Sequence, residues 1–89
     1  MGEERFFLYD EKENGEIRFV SFMGEESRYD LAVIKTNKYY GKSIVMDLQG
    51  NRFAIIGDDD LREKDYIEHV FQASETEAEE IKSFLFEII

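Results

Sequence analysis

Apolar positions divide the chain into a strand-like part and a helix-like part. Up to Gly57, short apolar or alternating runs are separated by polar turns, a pattern that predicts five strands. The predicted strands cover residues 6–9, 17–23, 31–34, 43–48 and the apolar run that begins at Arg52. Because parallel pairs need long crossovers and these connections are short, the strands are expected to form a mainly antiparallel meander.

The first hairpin is predicted from Asn14-Gly15, which is typical of a type I′ turn with positive φ at both central residues. The turn would pair Phe7 with Phe22 and Tyr9 with Val20. The opposite face of the hairpin would also be largely apolar, with Phe6, Leu8, Phe19, Ser21 and Met23 as its members. A sheet with one face in water alternates more cleanly, so this hairpin is expected to be covered on both sides.

The second hairpin is predicted from Gly50-Asn51. It would place Leu48 opposite Phe53 and Met46 opposite Ile55. One apolar face would then run continuously across the fourth and fifth strands.

Residues after Gly57 follow helical spacing. Residues 59–71 match the helix period imperfectly and are expected to be mostly helical. Ser74 and Glu77 have the spacing of a capping box, in which each side chain bonds the backbone N–H of the other residue. The helix that follows is predicted to bury one stripe, made of Ala78, Ile81, Leu85 and Ile88 with Phe84 beside it.

Together these elements predict one α+β domain over residues 1–89. It has a five-stranded, mainly antiparallel meander sheet, flat or curled, followed by a shorter helical segment and a C-terminal helix. One helix covers only one sheet face. The other face would be covered by residues 59–71, by curling toward a barrel or by a second copy of the protein. Its predicted members are Phe7, Tyr9, Val20 and Phe22, with Val45 and Ile56. A homodimer is the hypothesis that we take forward.

Composition narrows the functional classes. Aspartate and glutamate number 21 against 11 lysines and arginines, and the net charge of −10 disfavours nucleic acid and anionic membrane surfaces as partners. The chain has no cysteine and one histidine, so an ordinary zinc site lacks ligands and a cytoplasmic location is expected. The acidic N-terminus has no apolar signal region, and no apolar run approaches the length of a spanning helix.

The consecutive acids Asp58, Asp59 and Asp60 are the candidate metal ligands, because Mg²⁺ prefers carboxylate oxygens. A metal would need further ligands from elsewhere in the fold. The favoured alternative is a helix start, with Asp60 as the cap and Glu63 three residues later. The spacing of the acids is not that of an EF-hand loop.

His69 is the one side chain with an unperturbed pKa near neutrality, and Asp65 and Glu68 could orient it as a general base. The sequence has no nucleophile motif, zinc-protease motif or phosphate-binding glycine loop to accompany it. A structural or surface role for His69 is therefore favoured, and no catalytic residue and no cofactor are predicted.

Tyr39, Tyr40 and Lys42 form the one basic and aromatic patch, a combination that holds single-stranded nucleic acid by stacking and charge. A structural loop with a turn at Gly41 is favoured, because the chain has few bases and a strong negative charge. Tyr39 and Tyr40 are retained in the predicted interaction surface together with Phe7, Tyr9, Val20 and Phe22.

Five segments resemble a small family of domains of unknown function from Gram-positive bacteria of the bacillus group. They are RFFLYD at 5–10, RFVSFMG at 18–24, YYGK at 39–42, RFAIIG at 52–57 and FLFEII at 84–89. The resemblance covers nearly the whole chain and implies a bacterial cytosolic protein. It implies no catalytic or binding residue.

The predicted function is that of a small, self-associating, non-enzymatic interaction or regulatory protein. Its partner would be a second copy or another protein. A metal-dependent or acid–base enzyme using the aspartates and His69 is the alternative from a different class. Nucleic-acid binding through Tyr39, Tyr40 and Lys42 is the weaker alternative.

Overall fold

The computed structural model describes residues 4–89, which form an antiparallel sheet followed by helices. The strands are β1 (Glu16–Met23), β2 (Arg28–Lys35), β3 (Ser43–Asp47) and β4 (Arg52–Ile56). The helices are α1 (Asp58–Arg62), α2 (Tyr66–Phe71) and α3 (Glu75–Ile88). Each strand pairs with the next in the order β1-β2-β3-β4. The predicted α+β class and antiparallel meander are confirmed, and the described residues contain four strands rather than the predicted five.

The missing strand is the first one, because residues 6–9 pair with no other strand in the described chain. Neither Asn14 nor Gly15 has positive φ, so the type I′ turn that would join this strand to β1 does not form. Gly15 instead lies close to the end of β2, where an added Cβ would be 2.7 Å from the Lys35 carbonyl oxygen. Phe22 therefore pairs with Tyr29 of β2 and not with residue 7.

The predicted register of the second hairpin is wrong by two residues. The observed pairs are Met46 with Phe53 and Ile44 with Ile55. Asp47 causes the shift, because its Oδ1 accepts hydrogen bonds from the backbone N–H groups of Gln49 and Gly50 at 3.2 Å each. The chain therefore turns over residues 48–51. A two-residue shift leaves every side chain on its predicted face, so the continuous apolar face across β3 and β4 is confirmed.

Residues 59–71 form two short helices, with a break between them at which Asp65 adopts φ of 61°. The first helix begins at Asp58, one residue before the predicted range, and its N-cap is Gly57 rather than Asp60. The capping box of α3 is confirmed. Ser74 Oγ accepts from the Glu77 N–H at 3.1 Å, and Glu77 Oε1 accepts from the Ser74 N–H at 2.9 Å.

The helices cover one face of the sheet and enclose the hydrophobic core. The sheet contributes Tyr29, Val33, Val45, Ala54 and Ile56, and the helices contribute Leu61, Ile67, Phe71, Ala78, Ile81 and Leu85. Of the three covers considered for Val45 and Ile56, residues 59–71 supply one together with α3, and both side chains are 0% exposed. Phe22 lies on the same face, with its ring centroid 5.2 Å from that of Phe84. α3 thus packs on the face that was expected to need a second cover, and the opposite face stays open.

Two glutamates attach α3 to the connection between β1 and β2. Glu80 accepts from the Tyr29 hydroxyl at 2.6 Å and from the Glu25 N–H at 2.7 Å. Glu77 accepts from the Ser27 hydroxyl at 2.9 Å, in addition to its capping bond. The Ser74 N–H and the Ser27 hydroxyl hold the pKa of Glu77 below its usual range. The register of α3 on the sheet is therefore fixed by polar contacts as well as by packing.

Candidate interaction surface

The sheet face opposite the helices carries two apolar rows that cross all four strands. One row is Phe19, Ala32, Met46 and Phe53, and the other is Ile17, Ile34, Ile44 and Ile55. Residues directly opposite one another on paired strands point to the same side of a sheet, so these two rows form a continuous surface. This surface, defined by the eight residues, is termed the open face.

The open face is partly accessible to solvent in the described chain: three of its eight residues are exposed, four are half-buried, and Ala32 is 2% exposed. Phe19 is 73% exposed, Phe53 is 66% exposed and Ile17 is 58% exposed. An antiparallel sheet with one face in water normally alternates between apolar and polar side chains. Exposed apolar surface that is contiguous, rather than scattered as single residues, marks a site of interaction.

Charge is almost absent from the strand positions that point to this side. Arg28 and Asp30 lie at one corner and pair with each other at 3.2 Å. The hydrogen bond from Ser21 is the main cause that holds the pKa of Asp30 below its usual range. The other charged strand residues in the described chain point to the helix side: Glu16, Arg18, Lys35, Asp47 and Arg52. The side that faces water is therefore less charged than the side that the helices cover.

A second exposed apolar element precedes the sheet. Residues 4–15, termed the N-terminal arm, have no helix or strand. Four consecutive apolar residues of the arm are exposed: Phe6 by 94%, Phe7 by 62%, Leu8 by 90% and Tyr9 by 68%. The arm contacts the connection between β2 and β3, where Lys38 Nζ lies 3.2 Å from Glu11 Oε2 and 4.5 Å from the centre of the Tyr9 ring. These contacts place it beyond the end of the sheet.

The six residues predicted to form an interaction surface lie in three places. Phe7 and Tyr9 are on the arm, and Val20 and Phe22 are half-buried on the helix-covered face. Tyr39 and Tyr40 are in the loop between β2 and β3, where Tyr40 is 98% exposed with φ of 52°. The structure brings these residues into no common patch. Sequence reasoning predicted the part of this face that lies on β3 and β4 but did not assign the row from Ile17 to Ile55 to the interaction surface.

The three aspartates have partners that explain them as a helix start. Asp58 Oδ2 lies 2.7 Å from Arg62 Nε, and Asp60 Oδ2 accepts from the Gly57 N–H at 2.8 Å. Lys42 Nζ lies 3.0 Å from Asp60 and 3.5 Å from Asp59. The Arg62 guanidinium holds the pKa of Asp58 below its usual range. Within residues 4–89, no group of three or more histidine, cysteine or acidic side chains is arranged to hold a metal ion.

Replacing Asp60 with alanine is expected to lower the free energy of unfolding by about 1–2 kcal/mol. The Gly57 N–H would lose its acceptor, and a hydrogen bond to a charged group is worth about that much. Asp59→Ala is the matched control, because its side chain is 75% exposed and its substitution should leave the stability nearly unchanged. Urea unfolding of both variants measures the difference. Equal losses would contradict the assignment of Asp60 as the residue that holds the helix start.

The residues of the two alternative functions are not assembled into sites. His69 is exposed on α2, and no side-chain hydrogen bond among the described residues joins it to Asp65 or Glu68. Glu68 Oε1 is buried without a hydrogen-bond partner in the described chain. The positive charge of Lys42 is paired with Asp59 and Asp60, which leaves it poorly placed to hold a phosphate.

Comparison with known proteins places the chain in a family. The model of the SAV0927-like family matches residues 8–87, and the chain belongs to this family. The match spans the sheet, the helices except the last residue of α3, and residues 8–15 of the N-terminal arm. Among curated proteins, no match is found. No helix in the described part of the chain is long and apolar enough to cross a membrane.

Proposed function

We propose that this member of the SAV0927-like family is a small non-enzymatic interaction protein that associates with a second copy of itself through the open face. The observation that carries the proposal is the pair of uncharged rows across all four strands, with Phe19 and Phe53 more than half exposed. The absence of cysteine supports a reducing compartment, the bacterial cytosol, as the place where it acts.

A second copy fits the open face in shape. Two sheets pack face to face at about 10 Å, with the side chains of the two inner faces interdigitated. A two-fold axis would bring the same patch of each copy together, and the mixture of large phenylalanines with small Ala32 offers both projections and hollows. Burial of the open face would remove from water the apolar surface that the helices leave uncovered.

A second copy also fits the open face in charge. The chain carries a net charge of −10, so two copies repel each other at long range. The open face contributes little to this repulsion, because Arg28 and Asp30 at its corner neutralise one another. Contact through this face would therefore keep the remaining acidic surface in water, where salt screens it.

Sedimentation velocity at micromolar concentrations tests the proposal. The protein is expected to sediment as a dimer, and Phe53→Glu is expected to weaken the dimer at least tenfold, because a carboxylate would be buried without a partner. Since Phe53 is 66% exposed in one copy, this variant should keep the circular dichroism spectrum of the parent. A parent protein that stays monomeric at about 100 μM (Kd too weak for a specific dimer) would refute self-association.

Tyr40→Asn is the matched control for this experiment. Tyr40 is the most exposed aromatic of the described chain outside the open face and the arm, and asparagine tolerates its positive φ. The control is expected to dimerise as the parent does. Dissociation by Tyr40→Asn but not by Phe53→Glu would move the interface to the loop between β2 and β3 and would overturn the proposed face.

A further inference from the structure

We infer that the two copies exchange their N-terminal arms, so that residues 6–9 of each copy lie along the outer strand β4 of the other, at the edge of its open face and beside the contact between the two sheets. This inference rests on the proposed self-association and adds the element that completes the interface. Its starting point is that the described chain has two large exposed apolar elements, the arm and the open face. In the structure neither one covers the other.

The area of the open face points to an additional contact. A fully exposed aromatic side chain offers on the order of 200 Å², so the open face presents on the order of 600 Å² per copy. A stable protein interface buries about 800 Å² on each partner. The four apolar residues of the arm, which are 62–94% exposed, would add on the order of 500 Å². The open face together with the arm reaches the size of a stable dimer interface, whereas the open face alone falls short.

The direction of the arm favours contact with the sheet of the second copy over contact with the sheet of its own chain. The arm leaves β1 at Gly15 and runs past the end of the sheet, where Lys38 contacts both Glu11 and Tyr9. The longest dimension of the molecule is 52 Å, whereas a strand of eight residues spans only about 27 Å. The arm therefore extends the molecule beyond the end of the sheet. A return of the arm to its own open face would break the Lys38 contacts. Exchange with a second copy moves only residues 6–9, which leaves Glu11 beside Lys38.

The length of the arm is sufficient for the exchange. Residues 6–9 are separated from Gly15 by a polar segment with acids at Asp10, Glu11 and Glu13. An extended chain advances about 3.3 Å per residue, so five such residues span roughly 17 Å. This distance exceeds the roughly 14 Å between the outer strands of a four-stranded sheet. The polar segment would stay in water while the apolar segment lies along the β4 edge of the partner's open face.

Disulfide trapping tests the exchange directly, because the chain has no cysteine of its own. Leu8→Cys and Phe53→Cys would be purified separately, mixed and oxidised, and the products separated without reductant. The expected product is a covalent dimer of one Leu8→Cys chain with one Phe53→Cys chain, identified by mass. Leu8→Cys mixed with Tyr40→Cys is the control, and its mixed disulfide is expected at less than a tenth of that yield.

The doubly substituted chain, Leu8→Cys with Phe53→Cys, separates exchange from return. Exchange yields covalent dimers, whereas an arm that covers its own sheet yields an internal disulfide at the mass of the monomer. The second outcome overturns the inference. So does a mixed disulfide that forms no faster with Phe53→Cys than with Tyr40→Cys.

A variant of the arm distinguishes failure of the inference from failure of the proposed function. Phe6→Ser with Leu8→Ser is expected to raise the dissociation constant of the dimer at least tenfold, since both side chains are about 90% exposed in the single copy. An unchanged dissociation constant, together with dissociation by Phe53→Glu, would remove the arm from the interface and leave self-association standing. A parent protein that is monomeric would remove both.

Discussion

Leu85→Ala is expected to lower the free energy of unfolding by about 3 kcal/mol, the largest effect of any single substitution proposed for this protein. Leu85 is 0% exposed and lies at the centre of the stripe that α3 presents to the sheet. Truncation removes buried methyl groups and leaves a cavity that the surrounding strands and helices fill only partly. For a domain of this size, such a loss is a large part of the total stability of about 5–15 kcal/mol.

Urea unfolding at a fixed protein concentration measures this loss. Concentration has to be held constant because association with a second copy would add to the apparent stability. Phe86→Ala is the matched control. It changes the next residue of the same helix, where the side chain is 44% exposed and lies under the Arg62 guanidinium. The control should cost less than about 1 kcal/mol. Equal losses for the two variants would contradict the packing of α3.

Raising the pH above about 10 is expected to destabilise the protein steeply through Tyr29. Burial raises the pKa of the Tyr29 hydroxyl, and the hydrogen bond to Glu80 and the charge of that carboxylate raise it further. A raised pKa means that the folded state holds the proton more tightly than the unfolded state does. The stabilisation is therefore complete below the ordinary tyrosine pKa of about 10 and is lost as the pH rises, at up to about 1.4 kcal/mol per pH unit.

Tyr29→Phe isolates this contribution. The variant should lose stability between pH 9 and pH 11.5 (roughly the range below the raised pKa) less steeply than the parent. Burial also raises the pKa of Tyr66, so part of the alkaline slope remains in both proteins. Tyr40→Phe is the control, since Tyr40 is 98% exposed. Parallel pH profiles for the parent and Tyr29→Phe would show that the contact between Tyr29 and Glu80 does not persist in solution.

The elements whose formation depends on residues close together in the sequence were predictable. The reciprocal bonds of Ser74 and Glu77 need only the spacing of the two residues, and the stripe of α3 needs only the helical period. The position of β2 between β1 and β3 followed from its continuous apolar run, although the helices cover only one of its two faces. The helix start at the aspartates was also predicted, although its cap is Gly57 and not Asp60.

The fate of residues 6–9 could not be predicted in the same way. Their apolar content is that of a strand, but a strand also needs a partner whose backbone groups are free. Pairing with β1 depended on positive φ at Asn14 and Gly15, which neither residue adopts. Close contact of Gly15 with the Lys35 carbonyl is a contact between distant parts of the chain, and the dipeptide gives no sign of it.

The assignment of the two sheet faces failed for a related reason. It started from the predicted hairpin of residues 6–23. Because residues 6–9 do not pair with β1, the choice of the covered face that rested on this hairpin was also wrong. Between β3 and β4 the predicted register was wrong by two residues. The prediction of which side chains share a face was still correct, because side chains alternate with a period of two. The sequence therefore predicted part of the open face, namely Met46 and Ile55, and the structure identified its remaining members.

The sequential order of the strands has a consequence for how rapidly the chain refolds. Every strand pairs with its neighbour along the chain through a short connection, so the sheet forms without the closure of a long loop, and only the docking of the helices joins distant residues. The sequence contains no proline and no cysteine, which removes prolyl isomerisation and thiol exchange as causes of delay. With the proposed self-association, the slow kinetic phase is expected to be the meeting of two chains, and its rate would rise with concentration.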